Sequence, residues 1–174
     1  MKYFKLQDTP ELKYAPQIKN WYGEFDVRDI RLETYYKLPK RQLFIIEPNE
    51  NNIFTDIILY PFLLVSPRVM HVIKMYGERC FSCEIILFDQ IKKKSELYYL
   101  PVFNETRKLQ IVKKNLDSKP FLKKVDVNKD IFWVRDSMKK HTIISLNLAE
   151  SLLQREVFGL GIEEIELFMD EETG

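Results

Sequence analysis

Hydrophobic and polar positions alternate over residues 2–7, the two-residue period of a strand, here one at a sheet edge. Pro10 and Pro16 then punctuate a loop, and residues 20–30 show no clear period. The run Leu43-Phe44-Ile45-Ile46 has no polar break, which predicts a buried strand. It ends in the turn-rich Pro48-Asn49-Glu50-Asn51-Asn52. Residues 53–60 are apolar and β-branched, compatible with a strand or a helical turn.

The period changes at Ser66, where Val69, Val72, Ile73 and Tyr76 fall at helical spacing. Ser66 suits the N-cap, Pro67 suits the first helical position because its missing amide is not needed there, and Gly77 stops the helix. Strands are predicted at 83–88 and 97–103, joined by a lysine-rich turn as a hairpin. Residues 104–130 read as polar connection. Short strands follow at 131–134 and 142–144, and the second leads straight into Ser145. Ala149, Leu152, Leu153 and Val157 form a second helical stripe, ended by Gly159 and Gly161, and 162–168 is a strand. The pattern of strand, capping serine, helix and strand thus occurs twice. The predicted class is α+β, with mixed sheets, a few helices and a twice-used unit.

The 174 residues suit one domain, 1–174, whose acidic end, 169–174, is expected to fray. Apolar residues make up 45%, with 12 Phe, 9 Tyr and 2 Trp, enough to build a core. Five glycines and no glycine-rich phosphate motif argue against nucleotide loops, which need backbone free of Cβ against phosphate. A net charge of +1 gives no strong global field toward nucleic acid or membrane. No apolar run reaches the ~20 residues of a membrane helix, and the N-terminal residues do not resemble an export signal. With two cysteines, these features predict a cytoplasmic protein with free thiols.

Cys80-Phe81-Ser82-Cys83 is a C-x-x-C, but zinc needs four ligands, and only His71 and His141 are available to add to the pair. A redox C-x-x-C opens a helix, whereas this one leaves a helix and enters a strand. No metal or cofactor is therefore expected, and no nucleophile, base or metalloprotease motif marks a catalytic residue. A catalytic site assembled from distant carboxylates remains the third reading. Two charged features stand out. Lysines and aromatics interleave over 91–141, among them Lys92-Lys93-Lys94, Tyr98, Tyr99, Trp133 and Lys139-Lys140, as phosphate contacts and base stacking would need. On the last strand Ile165 and Leu167 are offset from Glu164 and Glu166, which gives an apolar and an acidic face, and Glu163, Glu164 and Glu166 are the candidate contacts for a basic partner.

Three segments carry a family resemblance: Phe54-Thr55-Asp56 with Pro61-Phe62-Leu63-Leu64-Val65-Ser66; Glu96-Leu97-Tyr98-Tyr99-Leu100; and Ile131-Phe132-Trp133-Val134 through Phe158-Gly159-Leu160-Gly161-Ile162. Together they resemble the myxobacterial-type immunity domain, first catalogued as a domain of unknown function and later assigned to polymorphic toxin systems. The resemblance spans residues 20–168 and consists of fold signals. It implies a non-catalytic protein that neutralises a cognate toxin by stoichiometric binding, the toxin being encoded next to it. It brings no catalytic residues.

Overall fold

In the computed structural model, which describes residues 1–76, 79–114 and 122–169, the two serine-capped helices form as the periodicity requires. Helix α1 is Pro67–Met75 and α2 is Leu146–Gln154. Nine residues are too few for an isolated helix to persist in water. Each is held by its cap and by one buried stripe: Val69, Met70, Val72 and Ile73 in α1, and Leu148, Ala149 and Leu152 in α2. Ser66 Oγ accepts the Val69 amide at 3.4 Å, and Ser145 Oγ accepts that of Leu148 at 3.2 Å.

The strands form two sheets. The five-stranded sheet contains β2 (Arg41–Ile45), β3 (Ile57–Ile58), β4 (Leu64–Val65), β5 (Phe81–Asp89) and β6 (Lys94–Val102), in the order β2-β5-β6-β4-β3. The six-stranded sheet contains β1 (Tyr3–Gln7), β7 (Glu105–Thr106), β8 (Leu109–Lys113), β9 (Ile131–Arg135), β10 (Lys140–Ser145) and β11 (Gly161–Met169), in the order β7-β9-β10-β1-β11-β8. The β5–β6 hairpin pairs over its whole length, from Phe81 opposite Val102 to Asp89 opposite Lys94.

The twice-used unit is real at the level of topology. The first copy is the β3–β4 hairpin, Ser66, α1 and β5. The second is the β9–β10 hairpin, Ser145, α2 and β11. In both, the strands before and after the helix are separated by one antiparallel strand, β6 in the first and β1 in the second. The first copy takes its middle strand from just downstream, while the second takes it from the start of the chain. The copies diverge at the outer strand: β2 lies parallel to β5, whereas β8 lies antiparallel to β11.

The six-stranded sheet must curl. Its outer strands β7 and β8 are separated by only Arg107 and Lys108, a step that spans at most about 11 Å. Six flat strands would put those edges roughly 24 Å apart. β8 indeed also approaches β9. One face therefore encloses a small core of Tyr3, Phe132, Val134, Ile143, Ile165 and Leu167. The opposite face contributes Ile131, Trp133 and Ile144 to the main core, which holds both helix stripes and the five-stranded sheet.

Several expectations change. β1 is a central strand, because Tyr3 faces one core and Phe4 and Leu6 face the other. Lys5 is tolerated there because Glu163, directly across in register, pairs with it at 3.1 Å. β2, expected to be buried, lies instead at an edge of the five-stranded sheet, where Phe44 is buried but Leu43 is 53% exposed. Within 53–60 only Ile57–Ile58 is a strand, and the polar 104–130 contains β7 and β8, whose side chains are mostly half-buried. Leu153 faces solvent rather than completing the α2 stripe. The left-handed residue after α2 is Glu156 (φ 51°), so neither glycine stops the helix. Gly159 turns the chain at φ 81°, and Gly161 pairs so closely with β1 that a Cβ would lie 2.3 Å from the Gln7 carbonyl oxygen. Gly77, residues 115–121 of the basic and aromatic stretch and the end 170–174 lie outside the described residues.

Candidate functional site

The two copies meet through their helices. Tyr76, at the C-terminal end of α1, donates its hydroxyl to the Asn147 carbonyl at the start of α2 (2.8 Å) and lies against Ser151. Arg68, in the first turn of α1, donates to the carbonyls of Arg155 (3.0 Å) and Glu156 (3.1 Å) at the end of α2. The helices therefore run antiparallel, side by side.

Each capping serine has a second partner, absent from the sequence expectations. Ser66 Oγ donates to Asp56 Oδ1 at 2.7 Å, and Ser145 Oγ donates to Asp130 Oδ1 at 2.5 Å. In both copies the serine amide also donates to the carbonyl of the same aspartate at 2.8 Å. Asp56 additionally accepts Arg68 Nη2 at 2.7 Å and the Phe158 amide at 2.8 Å. Burial works to raise the Asp56 carboxyl, but Arg68, Ser66 and the Phe158 amide outweigh it and hold it below the ordinary range. The available signal was an aspartate opening each β-branched run, Asp56-Ile57-Ile58 and Asp130-Ile131-Phe132.

The hairpins of the two copies flank a groove of about 780 Å³. One wall is the β3–β4 tip, with Tyr60 and Pro61 joined by a cis peptide bond. The other is the β9–β10 hairpin, with Arg135, Lys139, Lys140 and His141. Its tip is set by Asp136, whose side chain accepts the amides of Met138 and Lys139, each at 2.8 Å. Asp136 Oδ2 also lies 2.7 Å from His141 Nε2. Burial would raise this carboxyl, yet the Lys139 amide, His141 and the Met138 amide together bring it to about 2.

Trp133 lines the groove, and its indole N–H donates to Thr142 Oγ1 at 3.2 Å. The Lys140 ammonium lies 3.7 Å from the centroid of that indole. It donates to the Ile30 carbonyl at 2.8 Å and lies 3.4 Å from Glu105. Desolvation lowers Lys140 to about 8, with Glu105 countering only part of the effect. Glu105 also accepts Arg135 Nε at 2.6 Å. Burial would raise Glu105, but Arg135 and Lys140 hold it below the usual carboxylate range.

On β11 the glutamates divide between the two faces, with Glu164 and Glu166 offset from buried Ile165 and Leu167 as the alternation requires. Glu163 shares the face of Ile165 and Leu167. Each is paired within the chain: Glu163 with Lys5 (3.1 Å) and Lys113 (3.5 Å), Glu164 with Lys114 (2.8 Å), and Glu166 with Lys124 (2.8 Å). The Lys5 bond lowers Glu163, and the Lys114 bond lowers Glu164.

The lysine-rich stretch likewise divides. Lys92 binds the Asn52 carbonyl, Lys94 pairs with Glu96, and Lys139 is exposed with no ion-pair partner among the described residues. Cys83 is buried, and burial pushes its thiol up, while Cys80 is half-buried. His71 is exposed on α1. Among the described residues no three His, Cys, Asp or Glu side chains gather as a metal site, and no helix is long and apolar enough to cross a membrane. Comparison with protein-family models, curated proteins and solved structures finds no match.

Proposed function

We propose that the chain acts by binding another protein, and specifically that it is an immunity protein neutralising a cognate bacterial toxin by stoichiometric occlusion in the cytoplasm. The observation that supports this most is the groove between the equivalent hairpins of the two copies. Its walls combine the exposed ring of Tyr60 with cations already oriented by fixed partners, Arg135 on Glu105 and Lys140 on Trp133. A surface ordered before binding loses less freedom on association, which favours a tight inhibitor. The resemblance to the myxobacterial-type immunity domain supplies the toxin-directed part of the reading. On this reading Glu163, Glu164 and Glu166 act as partner contacts only where the partner's cations displace Lys5, Lys113, Lys114 or Lys124.

The test is co-expression with the product of the neighbouring gene. A stable one-to-one complex and restored growth of toxin-expressing cells are expected. Neither a complex nor rescue would overturn the proposal.

A second reading has one observation in its favour: exposed Tyr60 with Arg135, Lys139 and Lys140 brings stacking and phosphate-binding chemistry to one place. Nucleic-acid binding through them would weaken steeply with added salt.

A further inference from the structure

We infer that the occupant of the groove is an extended acidic segment of the partner protein, its carboxylates set against Arg135 and Lys139 and an apolar side chain against Tyr60. This rests on the reading of the chain as a protein-binding protein and names the chemistry of what it binds.

Charge complementarity carries the first half of the argument. The groove is lined by Lys5, Arg135, Lys139 and Lys140, and by one carboxylate, Asp8. Glu105 offsets part of that charge, but its oxygens are taken up by Arg135 Nε and by Lys140. Lys5 is engaged by Glu163. What remains for an incoming group is the terminal pair of Arg135 nitrogens, for which no hydrogen bond is formed among the described residues, and the ammonium of Lys139. An arginine whose Nε is already anchored presents its terminal nitrogens in a fixed orientation, which suits a planar carboxylate. Two such positions fit a segment with one or two acidic side chains.

The apolar surface carries the second half. Tyr60 is 72% exposed and Met138 is 87% exposed, at the tips of the two hairpins. Met138 lies outside the groove proper, so an occupant that covers both tips is larger than the groove itself. This favours a macromolecular segment over a small anion. A nucleic acid fits less well. Affinity for nucleic acid rests largely on the number of phosphates that free cations can neutralise. The groove offers four cations, three of them already paired with carboxylates, on a molecule of net charge +1.

The test uses the full chain, labelled with 15N, and three ligands: a blocked eight-residue peptide alternating Glu and Leu, its Lys–Leu counterpart, and a single-stranded thymidine oligonucleotide. The Glu–Leu peptide is expected to shift the Trp133 indole signal and the amides of residues 5–8, 59, 60, 62, 63 and 133–142, with no matching effect from the Lys–Leu peptide. A Lys139→Glu, Tyr60→Ala double variant, altering two exposed side chains, should keep the native spectrum and bind roughly tenfold more weakly or worse. Shifts elsewhere, no shift at millimolar peptide, or equal binding of the Lys–Leu peptide would overturn the inference. So would saturable oligonucleotide binding at the same residues that collapses with salt. The same double variant in the growth-rescue assay separates the two proposals. Undiminished rescue overturns the groove while the immunity reading stands, whereas no rescue by the wild-type chain overturns the immunity reading irrespective of the peptide result.

Discussion

Lys140 stands where two opposing effects on one ammonium can be compared. Burial against Trp133 favours the neutral amine, and Glu105 favours the charged one. Burial prevails, and the side chain titrates at about 8, against roughly 10.4 for a lysine in an unfolded chain. Between those values the unfolded chain binds the additional proton, so the contribution of Lys140 to stability rises as pH increases from about 8. Below that range both states carry the proton and the contribution is flat. A titration followed at the lysine ε-methylene signals should give Lys140 a midpoint near 8. A midpoint in the ordinary lysine range would mean that the groove is wetter at this point than the geometry implies. The titration also bears on binding, since an acidic occupant stabilises the charged form and should move the midpoint upward.

At the scale of elements, the matching aspartates Asp56 and Asp130 give each short helix a cap tied to the hairpin that precedes it. Removing a capping hydroxyl costs about 0.5–2 kcal/mol. Ser145 is fully buried and Ser66 is not, so Ser145→Ala should be the more destabilising in urea unfolding, because it also strips a buried partner from Asp130. Asp56 adds an acid dependence. Its folded carboxyl is held below its unfolded value, so its contribution is complete above the unfolded range near 4 and disappears as pH falls through the folded value. Asp56→Asn should therefore lower stability at neutral pH and flatten its fall in acid. An acid limb identical to that of the wild type would contradict the role given to this carboxyl. The serines, both helix stripes and the long hairpin were legible in the sequence because they depend on neighbours within a few residues. Their aspartates were not, because they act across 10 and 15 residues of chain. The position of β1 was misread for a related reason: Lys5 looks like an edge residue until Glu163 is placed beside it. Part of the groove lay in view, since Trp133, Lys139 and Lys140 belong to the interleaved basic and aromatic stretch. Its opposite wall at Tyr60 and its floor contact at Ile30 are distant in sequence, and only the fold brings them there.

For the whole molecule, the decisive feature is that one copy of the repeated unit is continuous and the other is not. The five-stranded sheet is assembled from residues 41–102, whereas β1 lies between β10 and β11 from the far end of the chain. This gives biosynthesis an order. β1 is made first, and neither of its hydrogen-bonding neighbours exists until more than a hundred residues later, an interval on the order of ten seconds at typical elongation rates. Meanwhile the first copy can close, while Tyr3, Phe4 and Leu6 wait without a sheet. Nascent chains arrested after β9 should therefore resist protease across β5 and β6 and remain cleavable within Tyr3–Gln7. Early protection of β1 would show a different first partner. A ribosome thus holds this chain for seconds with β1 apart from both of its final neighbours, an interval in which Tyr3, Phe4 and Leu6 are open to other contacts.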